Sequence, residues 1–173
     1  MLYAQIGDIV EAKTEVIVNA SNGIGILGAN AAGAIRKAGG YEIEEEAQGI
    51  CQKNQKPIEP GQCFITGPGK LRENGVKYIY HAVTMKYPGE YSSLKDVSDA
   101  WREVFRKAIQ NKIKSISTTG LGTGIGRLDV DSVARDMVRI AKQYAFINDI
   151  DVYFIDRDQE FIDRVKENIE KVG

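Results

Sequence analysis

The sequence is poor in the residues from which metal and disulfide chemistry are built. It holds one histidine, His81, and two cysteines, Cys51 and Cys63. Their spacing fits neither a CxxC pair nor a zinc set, and a single histidine cannot complete one. No metal is expected, and both thiols are read as reduced. Charge is nearly balanced, with 23 Lys and Arg against 24 Asp and Glu. There is thus no basic surplus of the kind that drives binding to nucleic acid. Long apolar runs are also missing: residues 23–35 are weakly polar but broken by glycines and Asn30, too short to span a bilayer. The opening, Met1 to Asp8, has neither the basic nor the apolar region of a signal peptide. A cytoplasmic location without a membrane partner is expected. No repeat, low-complexity run or linker interrupts the 173 residues, so residues 1–173 are read as a single domain. A chain of this length buries roughly two-thirds of its unfolded surface without staples.

Glycine is what the sequence has in quantity, at 18 residues against 4 prolines. Short β-branched or apolar runs at Tyr3–Ile6, Val16–Ala20, Cys63–Thr66, Tyr78–Val83, Ser115–Thr118 and Val152–Ile155 read as strands. Helical segments fall between them, at Ala29–Lys37, Tyr41–Lys53, Leu94–Asn111, Val130–Tyr144 and Asp158–Val172. In Tyr41–Lys53 the acidic run Glu42, Glu44, Glu45 and Glu46 reads as a wet face. Leu94–Asn111 carries Val97, Trp101, Val104, Phe105 and Ala108 at helical spacing, a core-facing stripe. Val133, Met137, Ile140 and Ala141 repeat the pattern, behind Asp129 or Asp131 as N-cap. Phe161, Val165 and Ile169 face inward from the last segment. Strands alternating with helices predict a three-layer α/β domain around a mostly parallel sheet.

Two glycine-rich loops each follow a strand and open a helix. The first, Gly23-Ile24-Gly25-Ile26-Leu27-Gly28, is literally a GxGxxG; the second is Gly120-Leu121-Gly122-Thr123-Gly124-Ile125-Gly126. Glycine lets backbone N–H groups approach an anion with no Cβ in the way, and a helix N-terminus adds a positive dipole end. The pair predicts a shared crevice that grips a phosphate or diphosphate, with simple tight turns as the alternative. A P-loop is excluded, since Gly69-Lys70 is followed by Leu71 rather than Ser or Thr. A nicotinamide-dependent oxidoreductase is the rival suggested by GxGxxG. That fingerprint requires a second strand with a terminal acid about twenty residues on, where this chain has the charged helix Tyr41–Lys53.

Gly7-Asp8-Ile9, Val16-Ile17-Val18-Asn19-Ala20-Ser21-Asn22, Gly33-Ala34-Ile35 and Gly39-Gly40 together resemble the opening of a macrodomain. Ile79-Tyr80-His81-Ala82-Val83 and Leu121–Gly126 resemble that family's later motifs, so the resemblance runs from Gly7 to about Ile155. It implies a mixed, mostly parallel six-stranded sheet between helices, and binding of ADP-ribose or an ADP-ribosylated macromolecule without a cofactor. Nucleic acid enters only as an ADP-ribosylated partner, and the oligomeric state is left open.

By that resemblance Asp8 accepts from the adenine amine, with a turn or cap aspartate as the alternative, and the Ile9 N–H meets a ring nitrogen. Ala20 is counted among the ligand-binding positions; Asn22, the one catalytic candidate, holds the distal ribose with a carboxamide suited to its hydroxyls and to an attacking water, with a turn residue before Gly23 as the alternative. Gly28–Ala31, with Asn30 among them, and Gly122, Thr123, Gly124 and Ile125 supply the diphosphate N–H groups, and Gly126 falls where an aromatic often covers the distal ribose. Asn19 is read as a tie between loops, and His81 as a hydrogen-bonded core residue.

The chain also departs from the family pattern. Gly28-Ala29-Asn30 stands for three glycines, so two Cβ atoms narrow the diphosphate path. Ala32 replaces the aspartate of MacroD-type hydrolases, and Leu27 the histidine of viral-type ones. Gly126 takes the place of an aromatic, and Asp156-Arg157 falls where an aromatic often stacks on adenine. ADP-ribose binding with weak hydrolysis of ester-linked adducts or O-acetyl-ADP-ribose is the resulting expectation; a non-catalytic reader is the alternative.

Overall fold

The computed structural model describes residues 1–171. Six strands are present: β1 (Leu2–Ile6), β2 (Val16–Asn22), β3 (Cys63–Thr66), β4 (Tyr78–Met85), β5 (Ser115–Thr118) and β6 (Asp151–Asp156). The helices are α1 (Asn30–Gly39), α2 (Tyr41–Lys53), α3 (Leu94–Gln110), α4 (Val130–Tyr144) and α5 (Gln159–Glu170). Every expected element is found, with strand ends shifted by one or two residues. Two short 3-10 helices, Ile9–Glu11 and Gly69–Asn74, carry no periodic signal and were not anticipated. The expected end of the last helix at Val172 lies outside the described residues.

The strands form one sheet in the order β1-β6-β5-β2-β4-β3. All neighbouring pairs are parallel except β3 with β4, so β3 is an antiparallel edge. The buried central strands read as continuous apolar runs, as parallel strands covered on both faces do. One face packs on α3, α4 and α5 through Trp101, Phe105, Met137, Phe154 and Phe161, all essentially unexposed. The other packs on α1 and α2 through Ile17, Leu27, Ile35, Ile43 and Ile79. This is the expected α/β/α sandwich.

The helices covering the first face are capped in the ordinary way. The side chains of Ser93, Asp129 and Asp158 each accept from an N–H of the first turn of α3, α4 and α5. Asp129 thus takes the cap and Asp131 sits in the first turn. On the opposite face α1 has Ala29 at its N-cap and no side chain caps it. Its first-turn N–H groups, orphans in any helix, are left for something else.

His81, on β4, is fully buried between Asn19 on β2 and Thr66 on β3. Thr66 Oγ1 donates to the Gly67 carbonyl, so it accepts from His81 Nε2–H, and Nδ1 accepts from Asn19 at 3.1 Å. Asn19 is therefore a cross-strand partner of the core histidine and not a tie between loops. Burial holds His81 neutral, its pKa pushed down from 6.5 to about 3. The Cys63 thiol, buried in the sheet, is pushed up to about 12 by the same cause.

Candidate functional site

In a sheet of parallel strands the carboxyl ends lie along one edge, and here they line up in sheet order. Asp8 follows β1, Asp156 ends β6, the second glycine loop follows β5, Asn22 ends β2, and Thr84-Met85 end β4. At about 4.8 Å per strand, this edge is about 19 Å long. A cavity of about 610 Å³ runs along it, within the ordinary range of small-molecule sites. Asp8, Ile9, Ala20, Asn22, Gly28, Asn30, Ala31 and the run Gly122–Gly126 all line it. The sequence-derived residues are thus brought to one crevice. Ile26 and Ile125, two apolar side chains left exposed, face it as well.

The end of the cavity at β1 and β6 is charged. Asp8 Oδ1 caps the Ile9–Glu11 turn by accepting from Val10 N at 3.2 Å. Its other oxygen accepts from Arg157 Nη2 at 2.6 Å. Asp8 is therefore a cap residue and a cavity residue at once. Arg157, well exposed, is held by that ion pair at the mouth of the cavity. Asp156 turns inward to accept from Gly120 N at 2.9 Å and from Asp158 N at 2.9 Å. It thereby anchors the second glycine loop to β6, a role its position alone did not suggest.

The two glycine loops differ in what their glycines are for. In the first, Gly23 packs directly on the Ile58 backbone and donates to the Lys86 carbonyl at 2.8 Å. Gly25 takes φ +81 against the Ala47 backbone, a conformation disfavoured for L side chains. Neither lines the cavity; of the GxGxxG glycines only Gly28 does. The dinucleotide fingerprint here is a packing motif, and the helix α2 stands where a second Rossmann strand would be. α2 contributes Glu44, half-buried, whose Oε2 accepts from Leu27 N at 2.8 Å and so pins this loop. Glu46 similarly accepts from Gly67 N. The acidic run of α2 is therefore not simply a wet face.

The second loop turns its backbone to the cavity. Gly122 takes φ +78, and a Cβ there would press on Leu128 and Val97. Gly126 lies against Ser92, so the missing aromatic has no room to replace it. Gly124 faces across to α1: a Cβ there would lie 3.3 Å from Asn30 Nδ2. The carboxamide of Asn30 thus bridges the gap between the loops, narrowing the middle of the crevice as its Cβ position implies. The uncapped first turn of α1 opens on this same point, where N–H groups and the helix dipole favour an anion.

The end of this cavity at β2 and β4 is lined by no ionisable side chain; Lys86, Glu90, Asp96 and Arg127 line only the cavity that adjoins it. Asn22 Oδ1 accepts from Ile24 N at 3.1 Å and Ile26 N at 3.2 Å, while Nδ2 donates to Ile26 O at 2.8 Å. Its carboxamide organises the first loop and retains one N–H. Leu27, which stands where the family's viral-type pattern has a histidine, is fully buried core. Ala32 lines the cavity without adding a functional group. Sequence reasoning missed the wall formed by the end of β4 and the loop beyond it, namely Thr84, Met85, Pro88 and Gly89; no motif marks it. Among the described residues, no group of three or more His, Cys, Asp or Glu is placed to hold a metal. Among the same residues, no helix is long and apolar enough to cross a membrane.

The Macro domain family profile matches residues 18–137. The chain belongs to the Macro domain family. A Macro domain-containing protein of Caldanaerobacter subterraneus is 34% identical over 80% of this chain and 77% of its own. An uncharacterized protein of Aquifex aeolicus is 36% identical over 80% and 79%. Among solved structures, the macrodomain of Mycobacterium tuberculosis DarG superposes with a TM-score of 0.80 at 25% identity, over 91% of this chain and 99% of that one. A mutant Oceanobacillus iheyensis macrodomain with ADPR gives a TM-score of 0.85 at 24% identity, over 96% and 90%; at that identity the likeness concerns the fold. The macrodomain fold therefore accounts for the sheet order and for a crevice at the carboxyl edge.

Proposed function

We propose that this macrodomain binds ADP-ribose along the crevice and acts on ADP-ribose joined to another molecule. The observation that carries the reading is the uncapped α1 N-terminus facing the second glycine loop across Asn30 and Gly124. That point is a seat for a diphosphate, with Asp8 and Ile9 on one side for adenine and Ala20 and Asn22 on the other for the distal ribose. The distal end does not close. It shares Thr84, Met85 and Gly89 with a second cavity of about 630 Å³, which leaves room for whatever the ribose is attached to.

Turnover on ester-linked ADP-ribose is expected to be slow. The carboxylates lining the cavity, Asp8, Asp156 and Asp158, all follow β1 or β6 at the adenine end. The distal end of the main cavity has no carboxylate of its own, Glu90 and Asp96 lining only the adjoining one, and the lack of a general base there costs about 10²–10⁴-fold in rate. What is left is a water oriented by the free N–H of Asn22 and by the ligand's own phosphate. A second reading, a reader without turnover, is favoured by the engagement of the Asn22 carboxamide within the first loop.

A time course on a protein carrying ester-linked ADP-ribose separates the two. Slow product that disappears in Asn22→Ala and rises in Ala32→Asp supports the hydrolase. No product at high enzyme concentration, with ADP-ribose still bound, leaves the reader.

A further inference from the structure

The ladder between β2 and β4 slips once. Ser21 pairs with Val83 and Asn22 with Met85, so Thr84 is an extra residue in β4 at the carboxyl edge. Such bulges re-aim a side chain, often beside a functional site. Thr84 is 1% exposed and lines both the main cavity and the second one. Its hydroxyl is buried and has no hydrogen-bond partner. Asn19, Ser92 and Arg164 also carry a buried unpartnered atom, but none of them lines either cavity. A buried hydroxyl without a partner is destabilising, and one kept at the junction of two cavities calls for a partner outside the chain.

Position decides which part of a ligand that is. β4 lies four strands from β1 in the sheet, beyond β2 and its Asn22. With adenine at Asp8 and the diphosphate at Gly124, the group that reaches β4 is the distal ribose. The geometry points to Thr84 as a specificity residue for that ribose, its hydroxyl exchanging a hydrogen bond with a ribose hydroxyl beside the free N–H of Asn22. A hydroxyl both donates and accepts, as its partner does. This inference rests on the ADP-ribose reading above and adds the residue that distinguishes ADP-ribose from ADP, which lacks the distal ribose.

The test compares Thr84→Val and Thr84→Ser with the wild type, by calorimetry with ADP-ribose and with ADP and by thermal melting without ligand. Thr84→Val is expected to bind ADP-ribose about tenfold more weakly and ADP unchanged. Its melting temperature without ligand should not fall, because an unpartnered polar group has been removed. Thr84→Ser should keep the wild-type ratio of the two affinities. An unchanged ratio in Thr84→Val, an equal loss for both ligands, or a loss in Thr84→Ser as large as in Thr84→Val overturns the assignment. A wild type that binds ADP but gains nothing from the distal ribose also overturns it. A wild type that binds neither ligand overturns the ADP-ribose reading itself.

Discussion

The two ends of the crevice are built from different materials. The end at β1 and β6 is ionic: Asp8, Asp156, Arg157 and Asp158, each tied by a hydrogen bond to its neighbours. Within the main cavity the end at β2 and β4 is neutral, made of Asn22, Thr84, Met85, Pro88 and Gly89. A charged carboxylate reads one pattern of donors strongly; neutral amide and hydroxyl groups suit a polyhydroxy sugar and provide no base. On the proposed reading, this contrast lets the crevice recognise ADP-ribose while the neutral end of the main cavity supplies no base for its hydrolysis.

The largest expected effect comes from blocking the middle, which both ends share. Gly124→Val places a branched side chain where only the movable tip of Asn30 stands opposite, so the fold should tolerate it. ADP-ribose binding should become undetectable by calorimetry with native circular dichroism. Retained affinity in a folded variant would mean that the second loop is structural.

Asp8→Asn breaks the ionic end alone. An asparagine keeps an oxygen for the Val10 cap but presents a donor where Asp8 now accepts. Affinity for ADP-ribose should fall by about 1–3 kcal/mol, the scale of a charge-assisted hydrogen bond. Preference over an inosine analogue should vanish in a competition assay. The ratio of ADP-ribose to ADP affinity, set at the other end, should not move.

Beneath the neutral end, the His81 pair sets a pH dependence. His81 is held at about 3 in the folded chain by burial, against roughly 6.5 when unfolded. Below pH 6.5 the unfolded chain binds the extra proton. Stability present above that pH is therefore lost as pH falls from 6.5 towards 3. Between pH 7 and pH 5 the loss is about 2 kcal/mol, readable from urea unfolding, and His81→Gln should flatten it. An equal slope in the variant would place the titrating group elsewhere.

Much of this was legible in the sequence for physical reasons. The stripes of α3, α4 and α5 repeat at helical spacing because one face of each is buried, and the strands are short apolar runs because the sheet is covered on both sides. The crevice residues were found through family motifs, and all of them line one cavity. Other features were not legible. Gly23 and Gly25 look like a phosphate loop, yet they serve chain crossings with residues far away in sequence, Ile58 and Ala47. Glu44 looks like surface charge until the loop it pins is placed beside it. Thr84 depends on a register slip between two strands, and no local pattern encodes that.

The account stands most directly on one calorimetric series with ADP-ribose, ADP, AMP and NAD. It predicts a micromolar dissociation constant for ADP-ribose, about −8 kcal/mol, with ADP, AMP and NAD all weaker. Binding of NAD as tight as that of ADP-ribose or tighter, or no binding of ADP-ribose at millimolar concentration, would contradict it.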